Sequence, residues 1–385
     1  MKKILTIFGT RPEAIKMAPL IKELQKYPED ISCRVVVTAQ HREMLDQVLT
    51  LFEITPDYDL DIMHTGQTLF DITGRALSGL EKILVNEKPD LVLVHGDTTT
   101  TCTAALASFY LQAPIGHVEA GLRTHNKYSP FPEEMNRRIT GVLADLHFAP
   151  TAEAAGNLRA ESVPREKVFI TGNTVIDALL STVDTGYRFR DPILRQIDFA
   201  NKRILLVTTH RRENLGQPLR QVYGALRSLV EEFPDVEIVF PVHKNPLVRS
   251  VAMEELGHIK HVHMIEPLEY QPFVNLMSRC YMVLTDSGGL QEEAPSLGKP
   301  VLVLRDTTER PEALEAGTVR LVGTAKGRIE EEGRRLLSDR DYYQKMSGAV
   351  NPYGDGKASG RIRQAILYYF GLAIERPGDY MLPQG

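Results

Sequence analysis

The stretch from Leu91 to Thr124 contains two acidic residues that each follow a short apolar run. The pattern predicts a strand, a helix and a second strand, with Asp97 after the first strand and Glu119 after the second. Ligands of parallel α/β sheets bind outside the carboxyl ends of the strands, so both acids are expected in one crevice. Two carboxylates in a partly dry crevice are suited to proton transfer, because their surroundings can move their pKa values apart.

Two cations follow the first predicted strand, in the segment Gly9–Lys16. Pro12 suits the first turn of a helix, and Arg11 and Lys16 then lie near the helix N-terminus, where unpaired N–H groups also attract anions. The segment has neither the GxGxxG nor the Walker pattern, which argues against an ordinary dinucleotide or ATP site. The spacing alone fits an anion site and a solvated surface pair equally well.

A second glycine-rich loop, Thr285–Glu293, also joins a predicted strand to a helix. Its paired glycines would let a ligand approach the backbone, and Ser287 can cap the helix or bind a phosphate. Glu292 and Glu293, one turn into the helix, are within reach of ribose hydroxyls. Considered alone, the pattern fits an ordinary capped helix slightly better, because acids favour the first turn of any helix.

Three further polar clusters stand at the ends of predicted strands in the second half of the chain. A single cluster is usually a solvated loop, but several at the carboxyl ends of strands in one sheet favour a binding site. The clusters are Thr209–Asn214, Pro241–Asn245 and Asp306–Glu312.

A divalent metal site is the less favoured interpretation of the acids in the first half. His95 and Asp97 are two residues apart, as are His117 and Glu119, so each pair shares a strand face. These four side chains are chemically suitable ligands, but no HExxH or DxD motif supports a metal site. The histidines are instead expected to pack or to orient the acids.

The composition limits the class of protein. The chain has 385 residues, of which 43% are hydrophobic and 25% charged, as in a globular protein of two or three domains. A net charge of −5 gives no reason to expect nucleic acid or an anionic membrane as a partner. Three scattered cysteines favour a reducing compartment, and we expect a cytoplasmic location. The first apolar run is shorter than a secretory signal requires, and no run approaches the length of a membrane span.

Short β-branched runs alternate with longer helical patterns along the chain, which predicts parallel sheets with helices on both faces. The expected fold class is α/β, with two Rossmann-like, doubly wound domains. The predicted strands are Ile4–Phe8, Arg34–Thr38, Leu91–His95, Ile115–Val118, Leu146–Ala149, Val168–Thr171, Ile204–Thr208, Val236–Pro241, His261–Ile265, Met282–Thr285, Val301–Leu304 and Thr318–Val322.

The alternation is interrupted between Ser181 and Lys202, a charged segment with no apolar period. A fresh strand pattern begins at Ile204, so a domain boundary is preferred over a long surface loop within one domain. Three regions are expected: an N-terminal domain of residues 1–175, a C-terminal domain of residues 176–364, and a C-terminal helix of residues 365–385 that packs back on the first domain.

Together these motifs resemble those of the non-hydrolysing UDP-N-acetylglucosamine 2-epimerases. They occur in order from Lys3 to about Phe370, and the set is specific although no single motif is. The motifs are FGTRPEAIKMAPL, TAQHREMLDQVL, HGDTTTT, GHVEAGLRT, SPFPEEMNR, FITGNTVIDALL, THRREN, DSGGLQEEAPSLGKPVLVLRDTTERPEA and NPYGDGKAS.

The resemblance implies a glycosyltransferase-B-like fold, in which two Rossmann-like domains face each other across a cleft. It implies reversible conversion of UDP-N-acetylglucosamine (UDP-GlcNAc) to UDP-N-acetylmannosamine (UDP-ManNAc), with no cofactor and no metal. UDP would leave C1, loss of the C2 proton would give 2-acetamidoglucal, and UDP would add back after protonation of the opposite face of C2. A homodimer, a second UDP-GlcNAc as allosteric activator and a role in cell-surface polysaccharide biosynthesis are also implied.

The resemblance also assigns roles to residues at matching motif positions. The catalytic set would be Asp97, Glu119, Glu133 and His210. The substrate-binding set would be Arg11, Lys16, Phe273, Ser287, Gly288, Gly289, Glu293 and Arg310. The less certain allosteric set would be Gln40, Gln67, Glu134, Arg211 and His243. Glu293 would bind the ribose and Phe273 would lie near the uracil, while the acid that serves each face of C2 is left open.

Two other functions remain to be separated from this one. A retaining glycosyltransferase or a UDP-sugar hydrolase on the same fold would share the diphosphate site, but would not specifically need acids at both Asp97 and Glu119. A nucleotide-sugar sensor would keep Arg11, Ser287 and Glu293 without needing those acids. The nature of the sugar product distinguishes all three functions.

Overall fold

The computed structural model describes residues 1–40 and 42–381, and the chain divides into two compact units. The first unit contains Met1–Ser181 together with the chain from Tyr353 onward, and the second contains Thr182–Pro352. Each unit has its own parallel sheet, covered by helices, so the α/β class predicted from the sequence is confirmed.

The first unit is built on a parallel sheet of seven strands in the order β3-β2-β1-β4-β5-β6-β7. The strands are β1 (Lys2–Phe8), β2 (Ile31–Val37), β3 (Tyr58–Asp59), β4 (Leu91–His95), β5 (Ile115–Val118), β6 (Leu146–Ala149) and β7 (Val168–Ile170). Strand β1 pairs with both β2 and β4, so the strand order reverses between β1 and β4. The loops after these two strands therefore flank the crevice in which doubly wound sheets bind ligands.

Helices connect these strands and cover the sheet. They are α1 (Arg11–Gln25), α2 (Arg42–Leu51), α3 (Leu69–Glu87), α4 (Thr99–Tyr110), α5 (Glu133–Leu143), α6 (Ala152–Ala160) and α7 (Thr174–Thr182), with one 3₁₀ turn at Arg165–Lys167. The core of one face joins side chains of β1 and β4 to α3 and α4, including Ile7, Val94, Leu80 and Ala104. Strand β4 is buried at every position, which explains its uninterrupted apolar sequence.

The second unit repeats this topology with a sheet in the order β10-β9-β8-β11-β12-β13. The strands are β8 (Arg203–Thr208), β9 (Val236–Pro241), β10 (Val262–Ile265), β11 (Met282–Thr285), β12 (Val301–Val303) and β13 (Val319–Leu321). The helices are α8 (Gln217–Glu232), α9 (Pro246–Leu256), α10 (Tyr270–Arg279), α11 (Gly288–Glu293), α12 (Pro311–Glu315), α13 (Lys326–Ser338) and α14 (Arg340–Ser347), with 3₁₀ turns at Arg212–Asn214 and Ala294–Leu297. Here the strand order reverses between β8 and β11.

The last helix, α15 (Ala358–Tyr369), belongs to the first unit and packs against α1. Arg363 donates from Nε to Glu23 at 3.0 Å, and its guanidinium lies over the ring of Tyr27. The helix differs from the expected span of 365–385, because the glycine at 371 adopts a left-handed conformation just after the helix ends. Residues 382–385 of that expected span lie outside the described residues.

The unit limits also differ from those expected at residues 175 and 364. Helix α7 continues past residue 175, and its buried Asp177 accepts hydrogen bonds from the backbone N–H groups of Ala358 and Ser359. This contact ties α7 to the N-terminus of α15, so both helices belong to the first unit. The edge strand β3 was not predicted, because two residues are too short to form an apolar run.

Among the described residues, no helix combines the length and the apolar character that a membrane crossing requires.

Candidate functional site

Asp97 and Glu119 lie at the carboxyl edge of the first sheet, after the neighbouring strands β4 and β5. The two loops are close, because a Cβ atom placed on Gly96 would be only 3.7 Å from Glu119 Oε1. Glu119 itself has a positive φ of 60°, an uncommon conformation for a residue other than glycine. The structure thus brings both acids to one edge and holds one of them in a strained backbone conformation.

The carboxylate of Glu119 is enclosed by polar groups from three other segments. Lys16 of α1 forms an ion pair with Oε2, and Asn173 donates to the same oxygen from Nδ2 at 2.9 Å. His95 Nε2 lies 3.8 Å from Oε2, and only 9% of the Glu119 side chain is exposed. Burial by itself would raise the pKa of Glu119, but the nearby Lys16 charge and the two hydrogen bonds outweigh burial and lower this pKa well below its ordinary value. Glu119 is therefore a carboxylate at neutral pH.

Asp97 is held by the first turns of α5. Arg137 forms an ion pair with Oδ2 of Asp97, and Asn136 donates from Nδ2 to the Asp97 carbonyl oxygen at 3.0 Å. Arg137 also lies 3.3 Å from Oε2 of Glu134. A displacement of α5 would therefore displace Asp97.

Glu133 begins α5, and its Oε2 atom is buried without a hydrogen-bond partner in the part of the chain that the structure describes. A buried carboxylate oxygen without a donor costs free energy, so such an atom is a good candidate to contact a ligand. The family resemblance assigns Glu133 to the catalytic set, and this unpaired oxygen is suited to receive a hydrogen bond from a ligand.

The histidines of β4 and β5, His95 and His117, are buried and neutral at pH 7. Burial lowers the pKa of His95 to about 4 and the pKa of His117 to about 3. His117 donates from Nε2 to the carbonyl oxygen of Gly96 at 2.8 Å, which fixes the loop that carries Asp97. Within residues 1–40 and 42–381, no three His, Cys, Asp or Glu side chains are grouped so as to hold a metal ion.

Glu13 is a structural residue of the first unit's polar cluster that sequence analysis missed. Its Oε2 atom accepts from the backbone N–H groups of Gly9 and Thr10, and its Oε1 atom accepts from the hydroxyls of Thr98 and Thr101. The carboxyl group thereby joins the loop after β1 to the loop after β4. The Thr-x-x-Glu spacing of a capping box was the available signal.

In the second unit, His210 is positioned by a buried carboxylate at the reversal point of the sheet. Its Nδ1 atom lies 2.9 Å from Oδ1 of Asp286, which is fully buried, whereas 40% of the His210 side chain is exposed. Burial would raise the pKa of Asp286, but the interactions with His210 and with the N–H groups of residues 210 and 211 lower it. Nε2 of His210 thus faces outward from a fixed ring. Asp286 was not predicted as a site residue, although its place directly after a strand was visible.

The second glycine loop continues from Asp286 into α11. Ser287 is at the N-cap position, but its hydroxyl makes no capping hydrogen bond to the helix, unlike the capping role considered from the sequence. The buried Gln291 joins this loop to the next one, since its Nε2 donates to the Ser287 carbonyl oxygen at 3.1 Å and its Oε1 accepts from Thr308 at 2.6 Å.

Packing in the second unit does not require glycine at positions 288 and 289. A Cβ atom on Gly288 would lie 3.6 Å from its nearest neighbour and one on Gly289 would lie 4.0 Å away, both ordinary contact distances. By contrast, a Cβ atom on Gly9 would lie 2.1 Å from the hydroxyl of Thr38, so Gly9 is required by packing.

The two glutamates at the end of α11 differ in environment. Glu292 is buried and forms an ion pair with Nε of Arg310, so it orients that arginine rather than facing outward. This corrects the expectation that both glutamates reach a ribose. Glu293 is partly exposed, as is Phe273 on α10.

The remaining predicted residues are spread over both units. Arg11 is partly exposed at the start of α1, Gln40 Oε1 accepts from Thr100, and Gln67 Oε1 accepts from the N–H of His64. In the second unit, Arg211 pairs loosely with Glu309, and the rings of His210 and His243 lie 6.0 Å apart.

Glu134, assigned to the activator site by the family resemblance, is buried in the structure. Its side chain is 0% exposed and accepts from the N–H groups of Thr124 and His125, in addition to its contact with Arg137. Through these hydrogen bonds, the carboxylate of Glu134 fixes the loop before α5. Glu134 therefore acts as a buried capping residue of that loop.

Each unit thus presents a cluster of polar residues at the carboxyl edge of its sheet. The first supplies the ionised Glu119, two further acids and two cations, which suits proton transfer beside an anionic group. The second supplies a fixed histidine, a glycine loop and an arginine, which suits a phosphorylated ligand.

Comparisons with known proteins agree with this chemistry. The family model for UDP-N-acetylglucosamine 2-epimerase matches residues 22–367. The UDP-N-acetylglucosamine 2-epimerase of Bacillus subtilis (strain 168) is 57% identical over 378 residues, which cover 98% of each chain. That of Escherichia coli (strain K12) is 58% identical over 369 residues, which cover 94% of this chain and 98% of the other.

Solved structures show the same similarity over almost the whole chain. The UDP-GlcNAc 2-epimerase of Neisseria meningitidis bound to UDP-GlcNAc has a TM-score of 0.85 at 53% identity, covering 95% of this chain and 100% of the other. S. aureus MnaA in complex with UDP has a TM-score of 0.88 at 52% identity, covering 99% of this chain and 100% of the other. The chain therefore belongs to the UDP-N-acetylglucosamine 2-epimerase family.

Proposed function

We propose that this protein interconverts UDP-GlcNAc and UDP-ManNAc by inverting C2 of the sugar. Family membership supports the nucleotide-sugar substrate, because a relative of known structure binds UDP-GlcNAc. The observation that carries the proposal is the position of Glu119, which Lys16 and Asn173 hold at the sheet edge beside the loop of Asp97. A carboxylate fixed in this way can accept a proton from a bound substrate.

The proposed reaction begins with cleavage of the bond between C1 and the diphosphate oxygen, whose electron pair leaves with UDP. A carboxylate then takes the C2 proton, and the electrons of that C–H bond form the C1=C2 double bond of 2-acetamidoglucal. In the return half, a carboxylic acid delivers a proton to the opposite face of C2 and UDP bonds to C1. The path needs an acid and a base near C2 and cations near the departing diphosphate.

The first unit supplies the groups for proton transfer in this proposal. Asp97, Glu119 and Glu133 are the candidates for the two faces of C2. The unpaired Oε2 of Glu133 supports direct contact with the sugar. Arg11 and Lys16 are the candidate partners of the diphosphate, together with His210 from the second unit.

The second unit binds UDP in this proposal. Ser287 and the backbone of Gly288 and Gly289 would contact phosphate, and the open space around both glycines supports this, because the fold itself does not demand them. Arg310, oriented by Glu292, would lie near the sugar and the diphosphate. The remaining assignments place Glu293 at the ribose and Phe273 near the uracil.

No metal or cofactor takes part in the proposed reaction. The chemistry requires only proton transfer and stabilisation of a leaving diphosphate, which side chains can provide. In addition, the negative charge of Glu119 is already balanced by the ammonium group of Lys16.

We also propose a cytoplasmic homodimer, which binds a second UDP-GlcNAc as an activator. An apolar surface stripe on α5 supports the contact between copies: Ile139 is 41% exposed and Val142 is 84% exposed. Phe109 and Tyr110 extend this surface at the end of the neighbouring α4. Exposed apolar patches of this kind commonly mark protein–protein contacts. Gln40, Gln67, Arg211 and His243 are the candidate contacts of the activator.

Incubation with UDP-GlcNAc in D2O, followed by NMR of the sugar, tests the proposed reaction. UDP-ManNAc with deuterium at C2 is the expected product. Free sugar would indicate a hydrolase, a glycoside would indicate a transferase, and absence of turnover would indicate a sensor. Product without label at C2 would contradict the elimination mechanism.

The substitution Glu119→Gln tests the residue at the centre of the proposal. It keeps the size and hydrogen-bonding ability of the side chain but removes its basicity, so kcat should fall by roughly 10²–10⁴. Glu161→Gln is a matched control, because Glu161 pairs with Arg123 in the same unit away from the proposed acids. Parental turnover by the Glu119→Gln variant would exclude Glu119 as a base.

A further inference from the structure

Asn173 connects the carboxylate of Glu119 to the segment that joins β7 to α7. Its Nδ2 atom donates to Glu119 Oε2 at 2.9 Å, and its Oδ1 atom accepts from the N–H of Val175 at 3.0 Å. The Val175 N–H group needs an acceptor, so the amide orientation is fixed with its N–H₂ group toward the acid. Asn173 therefore cannot rotate its amide without losing both contacts.

The backbone around Asn173 is fixed as well. Its N–H donates to the carbonyl oxygen of Tyr353 at 2.7 Å. The preceding Gly172 has a φ of 82°, and a Cβ atom there would lie 3.2 Å from Cα of Gly354. Two segments far apart in sequence therefore lock the position from which the amide reaches Glu119.

The contact with Asn173 also decides which oxygen of Glu119 is available. Asn173 and Lys16 both contact Oε2, whereas Oε1 lies on the side of Gly96, next to the loop of Asp97. Holding one carboxylate oxygen with two donors leaves the other oxygen to meet a substrate. We propose that Asn173 is a positioning residue of the reaction, which holds Oε2 of Glu119 so that Oε1 serves as the proton-accepting atom.

This inference rests on the proposed function, in which Glu119 exchanges the C2 proton. It adds a role for a residue that makes no contact with the reacting atoms and acts only through Glu119. The other polar groups facing that carboxylate are Lys16 from α1 and His95 from β4, and burial keeps His95 neutral. Lys16 therefore balances the negative charge of Glu119, and Asn173 fixes the orientation of the Glu119 carboxylate.

Asn173→Asp gives the sharpest test. The new carboxylate can still accept from Val175, but it places a second negative oxygen where the amide donated to Glu119. Two carboxylates at hydrogen-bond distance share one proton, as in carboxylate dyads, so a carboxyl titration should appear above about pH 4. The acidic limb of the kcat/KM profile should move to higher pH with it. Carbon-13 NMR of glutamate-labelled protein, assigned with Glu119→Gln, measures the titration without substrate.

Asn173→Ala removes the donor without adding charge. The expected result is a fall in kcat of about 10- to 100-fold, the range for loss of a hydrogen bond to a charged group. KM for UDP-GlcNAc should stay within about twofold, because the proposed contacts with the ribose, the uracil and most of the phosphate lie in the second unit. Asn157→Asp is the matched control, since Asn157 Nδ2 donates at 3.0 Å to the Gly121 carbonyl oxygen rather than to a carboxylate. This control should keep the parental pH profile.

Three outcomes would overturn the inference. The first is an unchanged titration and acidic limb in Asn173→Asp. The second is a loss of activity in both Asn173 variants without any change in the pH profile, which would indicate a purely structural role. The third is an equal shift in Asn157→Asp. If the parent protein forms no UDP-ManNAc, the proposed function fails, and the NMR titration still decides whether Asn173 holds Glu119.

Discussion

Asp286→Asn is the substitution that most directly tests the polar cluster of the second unit. In the structure, Oδ2 of Asp286 accepts from the N–H groups of His210 and Arg211 and from Asn214, and Oδ1 faces His210 Nδ1. An asparagine can place its carbonyl oxygen at the Oδ2 position and keep the first three donors. Its amide N–H₂ group must then face Nδ1 of His210.

The substitution therefore changes the tautomer of His210. Nδ1 must become an acceptor, and the proton moves to Nε2, the atom that faces outward. A hydrogen bond to a charged group contributes about 1.5–3 kcal/mol. If His210 contacts the diphosphate through one fixed tautomer, the loss of that contact should lower kcat by about 10- to 100-fold. The same substitution in a serine-protease triad lowers kcat by about 10⁴, which sets an upper limit.

Three measurements together check this reasoning. Nitrogen-15 shifts of labelled histidine report the tautomer, calorimetry reports UDP affinity, and NMR of the sugar reports turnover. Asp235→Asn is the control, because Asp235 also pairs with a cation in the second unit, Arg203 at 2.6 Å, but contacts no histidine. This control should leave all three measurements unchanged.

The reasoning would be refuted by a tautomer change without loss of turnover or of UDP affinity. It would also be refuted if the His210 tautomer in Asp286→Asn were the same as in the parent.

The pH dependence of protein stability gives a second check. Asp286 has a lowered pKa, so its interactions stabilise the fold at pH values above the ordinary aspartate pKa, and this stability is lost as pH falls. Asp286→Asn should lack this acid-dependent loss of stability.

The remaining predictions concern the ligand and the partner. Glu293→Ala should weaken UDP binding by about 1–3 kcal/mol in calorimetry, and unchanged affinity would remove Glu293 from the ribose site. Gly288→Ala should keep the melting temperature, since its Cβ would have room at 3.6 Å, yet weaken UDP binding; parental affinity would contradict a phosphate contact there. Turnover should persist in EDTA, whereas loss of turnover that one divalent ion restores would support a metal site. Val142→Asp should yield monomers in sedimentation if α5 joins two copies, and an intact dimer would exclude this surface.

The sheets could be predicted because parallel strands buried on both faces leave a simple sequence pattern. Strands β4 and β11 are apolar at nearly every position, and both were located with their observed bounds. The limits between the units were harder to predict. They depend on the contact of Asp177 with the N-terminus of α15, which joins residues 181 positions apart and leaves no local pattern.

The candidate site was predictable where a residue lies within two positions of the end of a strand. Asp97, Glu119 and His210 all do, and the sheet order brings their loops to the carboxyl edges. The residues that position the candidate site were harder to predict from the sequence, because their role depends on contacts with residues distant in the chain. Glu13 looks like an ordinary helix-capping acid in the sequence, and only its contacts with Thr98 and Thr101 reveal that it fixes the neighbouring loop.

The start of α5 shows a difference in environment that the sequence pattern does not reveal. Glu133 and Glu134 are adjacent acids at the start of α5, and the sequence gives no reason to separate them. One helical step turns their side chains by about 100°, so they face different surroundings. Glu134 enters the interior and accepts backbone N–H groups, whereas Glu133 keeps one oxygen without a donor.

The ionisation of Glu119 limits the role that it can take in a proton transfer. Its pKa lies below the ordinary value, so the deprotonated form prevails at neutral pH and remains as pH falls toward the ordinary glutamate range. A group in this state enters a catalytic cycle as a base, and it becomes an acid only after it has taken a proton. The proposed epimerisation needs one base and one acid in each direction, so a second group must supply the acid. The lowered pKa of Glu119 favours this residue as the base of that pair.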